Sequence, residues 1–231
     1  MSGRTELIVA LDVDSPEEAR RLVLTLGETV RWYKVGKQLF TRHGPRVVEL
    51  LKDAGKQVFL DLKYHDIPNT VGQAVRSAAD IGVDMTNVHA LGGPAMLAAA
   101  AEAAEESRIK VVAVTVLTSM DPGQLAAVGI HADTETEVLR LARLTRQAGL
   151  AGVVCSAWEI EALRDACGET FSLVVPGIRP AGSVHDDQSR VMTPRQAARA
   201  GADYIVVGRP VTRAADPATA AVAIEEELEN A

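Results

Sequence analysis

From Val58 to Thr70 the chain reads VFLDLKYHDIPNT, an apolar run followed at once by closely spaced charged residues. If Val58 to Lys63 forms a strand, the side chains of Asp61 and Lys63 point to the same face, because side chains alternate along a strand. An acid and an amine at the end of a buried strand are costly to remove from water. The pair therefore indicates either a reaction centre or a structural ion pair beside a helix that Asp66 caps, and the stretch alone leaves both interpretations open.

Short runs rich in β-branched residues, like the one before Asp61, recur along the chain and alternate with helical segments. We predict strands at residues 7–13, 32–36, 57–63, 85–90, 111–117, 152–156, 172–178 and 204–208. The intervening segments are rich in Ala and Glu and have the spacing of apolar residues that is typical of helices. We predict helices at residues 15–26, 46–54, 71–81, 94–106, 135–148, 160–166, 194–200 and 217–228.

Eight units of a strand followed by a helix, within 231 residues, predict an α/β fold, the parallel eight-stranded (β/α)8 TIM barrel. A doubly wound open sheet is the alternative, but its nucleotide fingerprint GxGxxG is absent after the first strand, where residues 10–14 read ALDVD. No linker rich in Pro or Ser divides the sequence, so we expect one domain spanning residues 1–231. The connections 118–133 and 179–193 are longer than packing requires, and we regard them as candidate lids.

Composition and charge restrict the classes of partner. Hydrophobic residues make up 47% of the chain and aromatic residues only 3%, so the core must consist of Ala, Val, Leu and Ile, as suits helices packed on a parallel sheet. The formal net charge is −7 and no run of Lys or Arg stands out, which argues against nucleic acid or an anionic membrane as a partner but allows a small anionic ligand. The sequence has no evident signal peptide and no apolar stretch long enough to span a bilayer, so we expect a cytoplasmic protein.

Neither the cysteines nor the histidines have the spacing of metal ligands. Cys155 lies in an apolar run, Cys167 belongs to no CxxC motif, and His65 and His89 have no partners at ligand spacing. The acidic pair at residues 186–187 has no evident third ligand nearby. We therefore expect a site without a metal ion or an organic cofactor.

Polar residues recur where the predicted strands end, and a barrel carries its active site at that end. They are Asp12 after the first strand, Lys34 in the second, Asp61 and Lys63 in the third, Thr118 and Ser119 after the fifth, Arg179 after the seventh, and Gly208 and Arg209 after the eighth. Each also has a structural interpretation: Asp12 could cap the first helix, and Lys34 could lie along apolar surface with its amine in water. Recurrence at equivalent places favours a shared site.

Arg179 and the pair Gly208-Arg209 follow the last two predicted strands. In many barrels the loops at these places bind phosphate through backbone N–H groups and a nearby helix start. Gly208 lets the backbone approach an anion closely, and Arg209 adds a planar, permanently charged group. We therefore predict a small phosphorylated substrate.

The motif DLKYHDIPNTV, residues 61–71, resembles the signature of the orotidine 5′-phosphate decarboxylase family. Other elements of that family occur in the expected order along the whole chain. They are ALD at residues 10–12, YKVG at 33–36, VLTS at 116–119, PGIRP at 176–180, DDQSR at 186–190 and VGR at 207–209. The core DxKxxD is shared with related barrel decarboxylases and aldolases, whereas the extension HDIPNT and the later DQ element are more specific.

The resemblance implies a (β/α)8 barrel that works as a homodimer without a metal ion or organic cofactor. The implied reaction converts orotidine 5′-monophosphate to UMP and carbon dioxide, the last step of de novo pyrimidine biosynthesis. Lys63 matches the proton donor, and Asp61 matches the carboxylate placed against the substrate carboxylate. Asp66 and Thr70 match residues that reach the active site of the neighbouring subunit.

The remaining matches are residues that contact the substrate, and one of them, Lys34, also belongs to the catalytic charged network. They are Asp12 and Lys34 for the ribose and the charged network, Thr118 and Ser119 for the ligand and its pyrimidine, and Arg179, Gln188, Gly208 and Arg209 for the phosphate.

These residues suit the implied chemistry. Loss of carbon dioxide from C6 of the pyrimidine leaves an electron pair in an sp² orbital orthogonal to the ring π system, so simple delocalisation cannot absorb it. A charged ammonium at Lys63 both stabilises that carbanion and protonates it. The acids Asp61 and Asp66 favour the charged amine, whereas a Schiff-base lysine must be neutral.

Three alternatives stay open at the level of sequence. A related sugar-phosphate decarboxylase or aldolase on the same barrel would stabilise an enediolate with Mg²⁺. A non-catalytic barrel that senses a nucleotide would need the phosphate-binding residues but not Lys63. A phosphosugar isomerase would need a carboxylate or thiol base rather than an ammonium.

Overall fold

The computed structural model describes residues 5–180 and 192–231, and within these ranges eight parallel strands close into a barrel. The strands are β1 (Glu6–Ala10), β2 (Trp32–Gly36), β3 (Gln57–Tyr64), β4 (Met85–His89), β5 (Lys110–Val114), β6 (Gly152–Val154), β7 (Ser172–Pro176) and β8 (Tyr204–Val207). Each strand pairs in parallel with the next, and β8 pairs with β1. The predicted (β/α)8 barrel is confirmed, and the open sheet is excluded.

Eleven helices connect and follow the strands in the described ranges. They are α1 (Pro16–Leu26), α2 (Lys37–His43), α3 (Arg46–Asp53), α4 (Pro68–Asp80), α5 (Gly93–Ser107), α6 (Pro122–Ala127), α7 (Thr134–Gln147), α8 (Ile160–Cys167), α9 (Pro194–Ala200), α10 (Arg209–Thr212) and α11 (Pro217–Glu229). Short 3₁₀ turns lie at Gly27–Thr29, Ala90–Gly92 and Ala157–Glu159. No helix in this part of the chain is long and apolar enough to cross a bilayer.

Three of these helices, α2, α6 and α10, are not predicted from the sequence pattern, and each follows a strand end. They contain seven, six and four residues, so they are too short to show a helical period. Helix α6 occupies part of the connection 118–133, one of the two candidate lids. Asp121 and Gln124 form its capping box, in which the N–H of Gln124 donates to Asp121 Oδ1 at 2.9 Å.

Strand β1 ends at Ala10, three residues before its predicted end. Leu11 and Val13 lie beyond the ladder but are buried in the core between sheet and helices. The apolar pattern therefore continues where the strand pairing has stopped, which explains the overestimate. For the same reason β5 ends at Val114 although Val116 is still buried.

The hydrophobic core has two layers, one between the sheet and the surrounding helices and one inside the barrel. Alternate residues of β1 illustrate the division, since Leu7 and Val9 face the helices and Ile8 and Ala10 face the interior. Because both faces of each strand are buried, the strands are apolar almost throughout. Burying one large aliphatic side chain contributes about 1.5–3 kcal/mol, so the two layers together account for much of the stability of the barrel.

Aromatic residues fill the barrel interior near the amino ends of the strands. The rings of Trp32 and Tyr204 meet edge to face with centroids 5.5 Å apart. Lys110 Nζ donates to the Tyr204 hydroxyl at 2.8 Å, and Trp32 Nε1 donates to Glu6 Oε2 at 3.2 Å. This packing closes the amino end of the barrel, so the open end is the one where the strands finish.

Candidate active site

The carboxyl end of β3 brings Asp61 and Lys63 into direct contact, and the ammonium of Lys63 donates to Asp61 Oδ1. The route to this contact is not a regular strand. The pairing of β3 with β4 loses register between Leu60 and Tyr64, and Lys63 has a φ of 55°, in the left-handed region. The two side chains therefore meet across a local irregularity rather than by the simple alternation expected from sequence.

Lys34, on β2, links Asp61 to Asp12. Lys34 Nζ lies 3.4 Å from Asp61 Oδ2 and 3.2 Å from Asp12 Oδ1. The side chains of Lys34 and Asp61 are only 12% and 13% exposed, whereas that of Asp12 is 60% exposed. Asp12, Lys34, Asp61 and Lys63 thus form a line of alternating charges, which we call the charged network, running from the rim into the mouth of the barrel.

The ionised form of Asp61 is favoured in this setting. Burial alone pushes the pKa of Asp61 upward, but the charges of Lys34 and Lys63, with hydrogen bonds from Lys63 and Asn87, outweigh it, so that the pKa lies below its ordinary value. The site consequently holds a partly buried carboxylate between the amines of Lys34 and Lys63.

Two residues of this region are not among the site residues expected from the sequence. Asn87, on β4, is fully buried and donates from Nδ2 to Asp61 Oδ1 at 2.7 Å. Gly36 leaves room for the network, since a Cβ there would lie 3.1 Å from Lys34 Nζ and 3.3 Å from Asp12 Oδ1. The sequence carries a signal for each residue. Asn87 is an amide two residues after the inward-facing Met85, and Gly36 is a glycine two residues after Lys34.

Asp66 and Thr70 lie in the exposed segment where α4 begins. Asp66 Oδ1 accepts the N–H of Ile67 at 2.6 Å, so Asp66 does not cap α4; Ile67 occupies the N-cap position and makes no side-chain capping hydrogen bond. Among the described residues, Asp61 is the acid that pairs with Lys63 in the same chain. The structure therefore brings together Asp61 and Lys63 but places Asp66 on the exposed surface of the chain.

The substrate-contacting residues expected from sequence follow three other strands. Thr118 and Ser119 are exposed after β5, and Arg179 follows β7, its N–H donating to Met192 O at 3.1 Å. Gly208 immediately precedes α10 and faces Asp12, because a Cβ on Gly208 would lie 3.6 Å from Asp12 Oδ2.

Arg209 is exposed and opens α10. Gln188, and with it the acidic pair at residues 186–187, lies outside the described residues. The phosphate-binding group expected from sequence is thus described at three of its four residues, Arg179, Gly208 and Arg209.

His65 and His89 form a stacked pair next to Lys63, with ring centroids 5.5 Å apart and an angle of 19° between the rings. Burial lowers the pKa of His89, and the charges of His65, Lys63 and Lys37 lower it further. The neutral imidazole of His89 is therefore favoured beside the ammonium of Lys63.

Comparison with known proteins links this geometry to one family. The model of the family described as Orotidine 5′-phosphate decarboxylase / HUMPS matches residues 5–224. An orotidine 5′-phosphate decarboxylase from Chromohalobacter salexigens is 54% identical over 226 residues, which is 97% of this chain and 96% of the relative. One from Saccharophagus degradans is 51% identical over 228 residues, covering 98% and 96%.

Solved structures agree with this result. The crystal structure of orotidine 5′-phosphate decarboxylase from Lactobacillus acidophilus superposes with a TM-score of 0.86 at 38% identity, covering 98% of this chain and 99% of that one. Fold, motif order and full-length identity all agree. The chain belongs to the orotidine 5′-phosphate decarboxylase family.

Proposed function

We propose that the mouth of the barrel decarboxylates orotidine 5′-monophosphate to UMP and carbon dioxide, the last step of de novo pyrimidine biosynthesis. The observation that carries this function is the charged network, in which the partly buried carboxylate of Asp61 contacts the ammonium of Lys63. Its residues lie within the family motifs of a chain about half identical to named decarboxylases. The protein is a carboxy-lyase.

Lys63 is the proton donor in this reaction. As the bond between C6 and the carboxylate breaks, its electron pair stays on C6 and carbon dioxide leaves. The ammonium of Lys63 stabilises that localised charge and then transfers a proton to C6. The contact with Asp61 orients the amine before the substrate binds.

Asp61 lies where the substrate carboxylate must approach Lys63. Two carboxylates at this place repel each other, and the repulsion is relieved when carbon dioxide departs. Lys34, 3.4 Å from Asp61 Oδ2, holds the carboxylate of Asp61 in place and also pairs with Asp12, the residue we assign to the ribose. Lys34 therefore couples the ribose contact to the reacting centre.

Phosphate binding supplies energy away from the reacting bond. We assign Arg179, Gln188, Gly208 and Arg209 to the phosphate, and Thr118 and Ser119 to the pyrimidine side. Support comes from the parallel pairing of β7 with β8, which brings the residues after both strands to one side of the mouth. Binding energy from the phosphate is then realised in the transition state.

Two copies of the chain complete each site. Asp66 and Thr70 are exposed at the start of α4, and the neighbouring Ile67 is 66% exposed, an apolar side chain that a subunit interface would cover. In this arrangement Asp66 and Thr70 reach the active site of the partner.

We further propose one domain spanning residues 1–231, since β1 and β8, from opposite ends of the chain, pair with each other. We also propose a cytoplasmic location.

The Mg²⁺-dependent sugar-phosphate decarboxylase or aldolase is not favoured, because the relatives at about half identity are orotidine 5′-phosphate decarboxylases. One assay separates the two reactions. Purified protein in EDTA is mixed with orotidine 5′-monophosphate, and the loss of its ultraviolet absorbance is followed. Sustained turnover supports the proposal, whereas activity that requires added Mg²⁺, or no activity at all, refutes it.

A further inference from the structure

One side chain connects the two reacting groups of β3 from the neighbouring strand. Asn87 Nδ2 donates to Asp61 Oδ1 at 2.7 Å, and the backbone N–H of Lys63 donates to Asn87 Oδ1 at 2.7 Å. The same amide thus contacts the carboxylate of Asp61 and the backbone that carries Lys63.

Chemistry allows this amide only one orientation. A carboxylate can only accept and a backbone N–H can only donate, so Nδ2 must face Asp61 and Oδ1 must face Lys63. The reversed amide would place its oxygen against the carboxylate and its NH₂ group against an N–H. Both hydrogen bonds are therefore made together or lost together.

The amide replaces ladder pairing where β3 is irregular. The register with β4 breaks between Leu60 and Tyr64, and Lys63 adopts a left-handed φ of 55°. A non-glycine residue in that region is strained by about 1–3 kcal/mol and persists only where its surroundings hold it. The hydrogen bond to Asn87 Oδ1 holds the backbone of Lys63 at this point.

We propose that Asn87 is a positioning residue for the decarboxylation, setting the direction of the Lys63 side chain and the place of the Asp61 carboxylate. It does so from β4 and acts through those two residues. The role rests on the function proposed above and extends it to a residue that the family motifs quoted from the sequence do not include.

Packing alone does not account for an amide at this position. Met85, two residues earlier on the same face of β4, is apolar and fully buried, and an apolar residue at position 87 would avoid removing an amide from water. Asn87 is fully buried as well, so its two hydrogen bonds must offset that desolvation. Both of those bonds go to the charged network or to its backbone.

Asp61 is surrounded by charged and polar groups from each neighbouring strand. Lys34 faces it from β2, Lys63 from β3 itself and Asn87 from β4, while Asp12, after β1, stands behind Lys34. Of these, Asn87 is the uncharged donor. Removing its N–H takes away one of the interactions that lower the pKa of Asp61, so protonation of Asp61 should begin at higher pH.

Two substitutions and one control test the role. Asn87→Ala removes both hydrogen bonds. Asn87→Asp keeps the shape and the acceptor for Lys63 but turns a carboxylate oxygen towards Asp61. The control is Thr86→Val. Thr86 is adjacent to Asn87 on β4, is fully buried, and donates to Leu60 O of β3 at 2.9 Å. The substitution therefore removes a hydrogen bond between the same two strands, but on the other face of the sheet.

Steady-state kinetics across pH and thermal melts are measured for all four proteins. We expect kcat to fall about 10- to 100-fold in both Asn87 variants with KM within about threefold, because misplacing a reacting group by about 1 Å costs on that order. In Asn87→Asp the acid limb of the kcat/KM profile should move to higher pH by about one unit. The shift is measured against the parent, because the substrate titrates in the same way with both proteins. Thr86→Val should lose thermal stability but keep kcat within about twofold.

The outcomes separate this role from the function itself. If the parent does not turn over orotidine 5′-monophosphate, the function and the role of Asn87 both fail. If the parent is active and a folded Asn87→Asp keeps its kcat and its pH profile, the role of Asn87 fails alone. Should Asn87→Ala not fold, the isosteric Asn87→Asp decides, and a Thr86→Val variant that loses kcat equally also overturns the proposal.

Discussion

Lys63, the proposed proton donor, has an unfavourable backbone conformation. Its φ of 55° is costly for a residue with a Cβ, by about 1–2 kcal/mol. Contacts with Asp61 through the side chain and with Asn87 through the backbone hold it there. Strain of this kind at a charged residue in a barrel mouth agrees with a role in chemistry rather than in stability.

Lys63→Ala should lower kcat at least about 10³-fold while leaving the fold intact, because it removes both the charge that faces the carbanion and the donated proton. The measurement is the absorbance assay together with circular dichroism. Lys52→Ala is the matched control. Lys52 Nζ lies 2.7 Å from Asp84 Oδ2, and Asp84 immediately precedes the amino end of β4, away from the mouth of the barrel. A folded Lys63→Ala protein with near-normal turnover would remove Lys63 from its role.

Asp61 should also make the stability of the protein depend on pH. Its pKa is lowered in the folded state, so its ionised form contributes stability above the unfolded pKa of about 4, and this contribution is lost as pH falls through the folded value. Asp61→Asn lacks that titration. The free energy of unfolding, measured with urea at several pH values, should therefore be higher for the parent than for the variant at pH 7. This difference in free energy should narrow below about pH 4, and a difference that widens on acidification contradicts the assignment.

At the scale of elements, the ends of neighbouring strands determine which groups meet. β1, β2 and β3 deliver Asp12, Lys34 and the Asp61–Lys63 pair in sequence, while β7 and β8 deliver Arg179 and Gly208-Arg209. Because β8 pairs with β1, Gly208, one of the expected phosphate-binding residues, adjoins Asp12. The proposed reacting groups therefore follow β1 to β3, and the described residues of the proposed phosphate-binding group follow β7 and β8 of the same ring.

Arg209→Ala should lower kcat/KM for orotidine 5′-monophosphate about 10- to 100-fold, since hydrogen bonds to charged groups contribute about 1.5–3 kcal/mol. The parent should turn over the nucleoside lacking phosphate poorly, and added phosphite dianion should partly restore that reaction but not in Arg209→Ala. Arg213→Ala, an exposed arginine just after the same helix, serves as the control. Normal turnover of the truncated nucleoside without phosphite would contradict this use of binding energy.

At the scale of the whole molecule, the barrel has one closed end and one open end. Trp32, Tyr204 and Lys110 fill the amino end, and the charged network lies at the other. Stability and chemistry are therefore carried by opposite ends of the same strands, as is usual for this fold. We propose the exposed start of α4 as the place where a second molecule completes the site.

Shared active sites predict complementation between two inactive variants. Lys63→Ala and Asp66→Ala should each be inactive as homodimers, but a hybrid of the two has one site with Lys63 from one protomer and Asp66 from the partner. Random mixing after mild dissociation should therefore restore about one quarter of the parent activity per subunit. Activity that stays at the level of the separate variants, in samples shown by mass spectrometry to contain hybrids, argues against shared sites.

The order of strands and helices was largely readable from sequence, because the periods of strands and helices are local properties. The positions of Asp12, Lys34, Asp61 and Lys63 at strand ends followed from the same pattern. Helices α2, α6 and α10 did not, since four to seven residues are too few to show a period. The start of α4 at Pro68 rather than residue 71 is a boundary error of the same kind.

Local pattern and motif order thus determined the barrel, the family and the residues at the strand ends. The left-handed backbone of Lys63, the burial of Lys34 between Asp12 and Asp61, and the contacts of Asn87 were decided by tertiary structure alone. The reason is physical: Asn87 is 26 residues from Asp61 and 24 from Lys63 along the chain. Only the parallel pairing of β3 with β4 brings its amide within hydrogen-bonding distance of both.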